Sequence, residues 1–466
     1  MMDISSLKHI VRPLKNGGQV IVVDTGAVLG PEELSMIQAM KSRSLGGFFE
    51  HMKIVAQKGI KKFMEIFYIG YGHKSIGDCG NATVIVEGVS MLVPKAVQDW
   101  PLYNGQESST RFIDFSKQKF LNPLGTLEGE KIQERWRTAH LHGLDWLQVS
   151  LKSRFPINEG ENEKDYQKAI NARAFDIMRS FLPAGATTDL TWHMNLRQFA
   201  DELLWLRHHP LEEIHEVAEA TEDALCEMYP SSFSKKRYPE TEQYIEEMMR
   251  DYYFDADMVQ ADGQVIFFDN VFLRLLGEYR KAMESRPNSK TELPKKIKEC
   301  GSVTFEFFLD FGSFRDIQRH RPVVQQMPLL STRYGFHPWY FSELGEGLRG
   351  KMESFVAEQT DLINNLPATK EIRQYYTGMG FNTTNRITGD LHALVYLVEL
   401  RGTRFVHPTL RERALQMADV LKMRFGRNGL VLHMDPEPNR FDVRRGTHDI
   451  VIKPFVPDWT IEAKEK

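Results

Sequence analysis

With 466 residues and a mass of 53.9 kDa, the chain is longer than one hydrophobic core usually serves, which predicts two domains. Hydrophobic residues at 42% and charged residues at 26% are ordinary for a folded protein and exclude a disordered or collagen-like chain. Lys and Arg number 59 against 63 Asp and Glu, a net charge of -4, so the basic excess that binding to a nucleic-acid backbone demands is missing and nucleic acid is not an expected partner.

The first residues, MMDISSLKHIVRPLKNGG, lack the apolar run of a secretory signal. No later stretch reaches the roughly 20 apolar residues of a membrane span, so a cytoplasmic protein with no membrane partner is expected. The three cysteines, Cys79, Cys226 and Cys300, form no CxxC pair and have no metal-ligand spacing to a histidine cluster. No metal is expected, the thiols read as reduced, and Cys79 and Cys300 read as small packing residues. Alternating apolar residues predict half-buried strands in ATVIVEGVSMLV (82–93) and VTFEFFLDFG (303–312). Apolar residues at helical spacing predict a long helix over Lys131–Leu151, followed by an exposed loop over Asn158–Lys164. The turn-rich, charged stretch Tyr229–Arg237 predicts the boundary between domains 1–235 and 236–466. Helices are expected to dominate Thr241–Arg286 and Gly389–Phe425.

The two strands begin alike. Asp78-Cys79-Gly80-Asn81-Ala82-Thr83 reads against Glu299-Cys300-Gly301-Ser302-Val303-Thr304 at an offset of 221, an internal repeat. That register runs ungapped to Pro101 over Pro322. With one inserted residue it continues to Ser109-Thr110-Arg111-Phe112 over Ser331-Thr332-Arg333-Tyr334.

Arg319-His320-Arg321 sets two guanidinium forks beside an imidazole. Those donors suit a diphosphate or a nucleotide monophosphate, or equally a solvated basic turn. Followed by Ser331-Thr332-Arg333-Tyr334, the stretch resembles the R-H-R and S-x-R-Y signature of flavin-dependent thymidylate synthases. Nine residues separate Arg321 from Ser331, however, and Leu329 holds the family's acidic position. The first copy has the complementary half. Gln106-Glu107-Ser108-Ser109-Thr110-Arg111 is similar to the S-x-R segment, while Gln98-Asp99-Trp100 lies over R-H-R. Gly72-His73-Lys74-Ser75, Glu87-Gly88-Val89-Ser90, Arg179-Ser180-Phe181-Leu182-Pro183 and Trp192, Asn195 and Arg197 resemble further family segments in the same order. In the second copy Asp390 and His392 stand at the N-x-R positions, and Arg401 closes the L-R element, with Arg207 as its first-copy counterpart displaced by one residue.

The resemblance implies an α+β fold of two tandem flavin-dependent thymidylate synthase-like domains, each a small, mainly antiparallel sheet packed with long helices. It implies reductive methylation of dUMP to dTMP with FAD as cofactor and with NADPH and methylenetetrahydrofolate as cosubstrates. In that family one site is assembled from several subunits of a tetramer. Here Arg319, His320, Arg321 and Arg401 are therefore expected to face Glu107, Ser109, Arg111 and Arg179 in a composite site, and a homodimer is expected to mimic the tetramer. By resemblance, Glu107, Arg111, Arg179 and Arg319 bind the nucleotide, Ser109 donates to it, and Arg401 contacts the uracil. His73 and Ser75 lie at the adenosine side of the flavin, His320 and Arg321 with Arg319 at its pyrophosphate, and Asn195 and Arg197 add polar contacts. Asp316 stands where the family has a substrate-binding glutamine, and needs a partner such as Arg315 to sit near a phosphate. A flavoenzyme acting on another pyrimidine nucleotide, or a pseudoenzyme that binds nucleotide or flavin, are the alternatives.

Overall fold

The computed structural model describes residues 8–24, 26, 30–41, 53–57, 59–61, 74–110, 113–257, 264–288 and 291–436; the expected site residues His73 and Arg111 lie outside this set. Two antiparallel sheets carry an α+β architecture. The first contains β1 (His9–Pro13), β2 (Gln19–Val23), β3 (Asn81–Ser90), β4 (Asn104–Glu107) and β5 (Thr187–Asn195), ordered β1-β2-β3-β5-β4. The second contains β6 (Ile266–Asp269), β7 (Ser302–Asp310), β8 (Val324–Gln325) and β9 (Asn382–Asp390), ordered β6-β7-β9-β8. Val84 and Val86 of β3, Leu190, Trp192 and Met194 of β5, and Val303, Phe305, Phe307 and Leu309 of β7 are all buried. One face of each sheet is thus covered, and the period-2 pattern fixes which.

The principal helices are α1 (Pro31–Lys41), α2 (Leu92–Gln98), α3 (Leu127–Arg154), α4 (Glu163–Met178), α5 (Leu196–Leu206), α6 (Glu212–Met228), α7 (Pro239–Met249), α8 (Phe311–Ile317), α9 (Glu346–Asn364), α10 (Leu391–Arg401) and α11 (Pro408–Phe425). The long helix expected over Lys131–Leu151 is α3, started by Thr126, whose hydroxyl accepts from the Gly129 amide at 3.1 Å. The helical expectation for Thr241–Arg286 is corrected. Beyond α7 residues 252–257 hold no helix, and β6 pairs with β7 before two short helices, Leu273–Glu278 and Arg280–Glu284. Ile266, Phe267 and Phe268 make that segment better suited to a strand than to a helix. Among the described residues, no helix is long and apolar enough to cross a membrane.

The two copies meet about a local twofold. Pro183 faces Gly378. On either side, the Ala184 amide donates to Thr377 O and the Met379 amide to Leu182 O; the Gly185 amide donates to Tyr375 O and the Gly380 amide to Ser180 O, all at 2.8–3.0 Å. Each bond has its mate when 195 is added to the first-copy residue, as an isologous interface requires. Gly185 is needed at this junction, since a Cβ there would stand 2.5 Å from Tyr375 O. Trp136 seals the interface from α3. It is fully buried, donates from Nε1 to Tyr376 O at 2.9 Å, and lies edge-on to Phe355 at 5.1 Å. Burial on that scale is worth about 3–5 kcal/mol against alanine. One continuous hydrophobic cluster, from Leu14 to Leu430, spans both copies.

The strand pairing also corrects the register of the repeat. A bulge between Val86 and Val89 gives the first copy one extra residue, so that Val89 and Ser90 match Leu309 and Asp310. The offset is 220 from there on: Asn104 pairs with His193 as Val324 pairs with Thr388. The residue inserted in the sequence comparison is therefore absent. Asp99-Trp100-Pro101, and not Gln98-Asp99-Trp100, lies over Arg319-His320-Arg321, and Glu107 and Ser109 lie over Met327 and Leu329.

Candidate functional site

A cavity of about 690 Å³ opens between the copies. The first copy contributes Gln98, the run Tyr103–Thr110 along and after β4, and Phe175 and Arg179 at the end of α4. The second contributes Gly312, Arg315 and Asp316 from α8, Arg319 and Arg321 just beyond it, Arg401 at the end of α10, and Phe405–His407. Six expected site residues therefore meet within one chain: Glu107, Ser109, Arg179, Arg319, Arg321 and Arg401. Five arginines against two carboxylates, Glu107 and Asp316, make the lining cationic.

The arginines are held to different degrees. Arg401 donates from Nε to His320 Nε2 at 2.8 Å and from a terminal nitrogen to Asp316 O at 2.6 Å. Burial, with Arg401 and Arg319 alongside, pushes His320 down to about 3, so its imidazole is neutral and can accept. His320, expected at the cofactor, is thus turned onto Arg401 and does not line the cavity. Arg179 donates to Ser313 Oγ at 3.1 Å and lies 3.6 Å from the Asp316 carboxylate. Burial opposes its charge, but Tyr340, Asp316, Asp176 and Asp310 hold its pKa above the ordinary arginine value. Asp316 therefore stands by Arg179 and not by Arg315 as expected. Arg321 binds Tyr103 O and Asn104 Oδ1, fastening itself to the first copy. Among the described residues Arg319 makes no hydrogen bond or ion pair, and Ser109 is exposed at the edge.

Glu107 anchors the floor. It pairs with Arg315 and, at 2.9 Å, with Lys95, whose side chain is 1% exposed. Burial works against its charge, yet Arg315 and Lys95 hold its carboxyl at about 2. Lys95 is lowered by burial and supported by Glu107. Sequence reasoning did not single out Lys95, although a lysine inside the apolar run MLVPKAV signals a buried, paired charge. It named Arg315 only as a partner for Asp316; its place four residues before Arg319 was the available clue. His407, also missed, forms a buried polar floor with Ser313 and Thr409 beneath Arg179.

Besides His320, three expected cofactor residues lie outside the cavity lining. Asn195 caps α5 by accepting from the Gln198 amide at 2.8 Å, Arg197 pairs with Asp78 at 2.6 Å, and Ser75 sits on the one-turn helix Lys74–Cys79. Cys300 is buried, as a packing residue is; Cys79 is half-buried.

The twofold-related position is nearly closed, a void of about 10 Å³ lined by Leu92, Lys95, Ala96, His209, Tyr253, Phe311, Met327, Pro328 and Gln374. There Met327, Leu329, Gln374, Asp99 and Leu206 stand at the places of Glu107, Ser109, Arg179, Arg319 and Arg401. Arg207, one residue past Leu206 and so rotated about 100° around the helix, pairs instead with Glu222 and Glu242.

Residues 27–231 match the family model described as thymidylate synthase complementing protein. A UPF0159 protein of Chlamydia muridarum is 24% identical, covering 89% of this chain and 88% of its own length. Another from Chlamydia pneumoniae is 23% identical over 88% and 87%. One from Thermoplasma acidophilum is 23% identical over 78% and 87%.

Proposed function

From the match of residues 27–231 to the thymidylate synthase complementing protein model, we propose that the chain is a flavin-dependent enzyme that reductively methylates a pyrimidine nucleotide, dUMP to dTMP. The observation that carries this reading is the convergence of five arginines from both copies on one cavity. Its volume falls in the range of about 300–1,000 Å³ common for organic ligands, and guanidinium forks match phosphate oxygens. The Nε atoms of Arg179 and Arg315 are buried without an acceptor. Each such donor costs about 1–3 kcal/mol.

Arg179 and Arg319 hold the nucleotide phosphate, and Arg321 with Arg319 the FAD diphosphate. Ser109 and Arg401 face the pyrimidine, where the fixed charge of Arg401 favours build-up of electron density on the ring. The rings of Phe175, Phe405 and Tyr103 offer apolar faces for stacking. FAD supplies the redox chemistry, relaying a hydride from NADPH. In net terms the methylene carbon of methylenetetrahydrofolate would replace a ring hydrogen, which leaves as a proton, and the hydride would complete the methyl group; with one further proton from solvent, tetrahydrofolate and NADP+ are left. Two chains pairing would reproduce the tetrameric layout of the family.

Asp316 favours a second reading. It accepts hydrogen bonds and cannot donate them, so a pyrimidine other than uracil is the alternative substrate. Purified protein is expected to be yellow, with flavin absorbance that NADPH bleaches only when the correct nucleotide is present. Expression is expected to rescue a thymidine-requiring bacterial strain. A colourless protein that takes up neither FAD nor dUMP refutes the proposal.

A further inference from the structure

The twofold leaves the molecule with two equivalent positions, one a cavity of about 690 Å³ and the other a void of about 10 Å³. Side-chain substitutions alone do not close the second, because the chain between the copies enters it. The Phe254 amide donates to Met327 O at 2.7 Å and the Leu329 amide donates to Phe254 O at 3.1 Å, a short parallel pairing with the segment that matches Glu107–Ser109. Tyr253 lines the remaining void. Tyr252 donates to Asp99, the residue at the place of Arg319, at 3.1 Å, and packs against His209 at 4.7 Å.

The carboxylates of this segment then engage the second copy's S-T-R-Y motif. Asp257 and Asp255 pair with Arg333, and Asp255 accepts from the Tyr334 hydroxyl at 2.9 Å. At the offset of 220 Arg333 lies over Ile113 and not over Arg111, so these pairs fasten the segment beside the half-site. The entry is fixed from the other side as well. Arg207, the displaced counterpart of Arg401, and His208 both hold Glu242 of α7 at 2.8 Å.

We propose that residues 252–257 are a resident occupant of the second half-site, a ligand substitute supplied by the chain itself, so that each chain offers one nucleotide site and not two. This occupancy stands on the fold and not on the reaction. The rings of Tyr252 and Tyr253 fill the volume of the missing ligand, and Asp255 and Asp257 fasten the segment to Arg333.

Hydrogen exchange on the full chain tests it directly. The amides of Phe254 and Leu329 should exchange at least about 100-fold more slowly than in an unstructured peptide; exchange at the unstructured rate overturns the proposal. The variant Asp255→Asn with Asp257→Asn, at part-exposed and exposed positions, should speed exchange across 252–257 several-fold while leaving β7 unchanged, and no change overturns it. Equilibrium dialysis with dUMP should give one equivalent per chain, whereas two equivalents overturn it. No dUMP binding at all refutes the proposed function, and the exchange measurements then decide the occupancy by themselves.

Discussion

Replacing Glu107 by glutamine removes one negative charge from between Lys95 and Arg315 and leaves the volume nearly unchanged. The Lys95 ammonium, 2.9 Å away and 1% exposed, is then left buried without its counter-ion. Breaking a buried pair in this way costs about 3–5 kcal/mol. The depressed pKa of Glu107 points to the same scale. The carboxyl titrates at about 2 in the folded chain instead of 4.5, which corresponds to about 3 kcal/mol of stability at neutral pH. Because the folded value is depressed, that contribution is complete above pH 4.5 and disappears as pH falls towards 2. Urea denaturation at pH 7 should therefore show Glu107→Gln less stable by about 3 kcal/mol, with the gap to wild type narrowing below pH 4.5. A second sign follows for the variant. Lys95, already lowered by burial, binds fewer protons folded than unfolded, so stability should rise with pH on the alkaline side. Replacing Lys95 as well, Lys95→Met with Glu107→Gln, should recover the part of the loss owed to the unpaired ammonium, while Arg315 stays without its partner. A single variant that costs less than about 1 kcal/mol, or a gap independent of pH, refutes the paired-charge reading.

Gly185→Ala should destabilise the chain by about 1–3 kcal/mol or more, read by denaturation, because its Cβ would meet Tyr375 O at the junction of the copies. Arg319→Ala should leave stability within about 0.5 kcal/mol, since the side chain makes no hydrogen bond or ion pair among the described residues. It should nevertheless weaken dUMP binding in a calorimetric titration by at least about tenfold, and unchanged affinity would remove Arg319 from the site. His320→Leu should weaken nucleotide binding by freeing the buried Arg401 Nε, whereas His320→Gln, which keeps an acceptor, should restore much of it; equal effects of the two would show that His320 only fills space.

The strands and long helices were legible because their apolar periods are local. Val84 and Val86, or Val303 and Phe305, report which face of a strand is covered without reference to anything distant. The duplication was legible for the same reason, but its register was not. A single bulge residue near Gly88 shifts everything after it, and side-chain identity does not reveal a bulge until the partner strand is seen. Six site residues were found from motifs, yet the partner of each depended on contacts between residues separated by about 200 positions. Hence His320 was assigned to a cofactor when its ring supports Arg401, and Asp316 was paired with Arg315 when it lies by Arg179. Asn195 was legible as a motif residue but doubles as a helix cap, a role that asparagine fills for purely local reasons.

The pattern of differences between the copies explains why one cavity is charged and its twin is plugged. Each position draws one set of residues from one copy and the complementary set from the other. The open cavity takes Glu107, Ser109 and Arg179 from the first copy and Arg319 and Arg401 from the second. The closed position takes Met327, Leu329 and Gln374 from the second copy and Asp99 and Leu206 from the first. All five of these substitutions therefore fall in one place, although they are divided between the two halves of the sequence, and the open cavity's own departure is Asp316. In a symmetric pair of identical chains this is impossible, because any substitution enters both sites at once. Joining the copies in one chain lifts that constraint. A site stripped of its arginines then loses the charge that kept it solvated, and an apolar, half-empty hollow between two packed copies is costly. Tyr252 and Tyr253 fill it, and Arg207 through Glu242 and Arg333 through Asp255 hold the chain on either side of them.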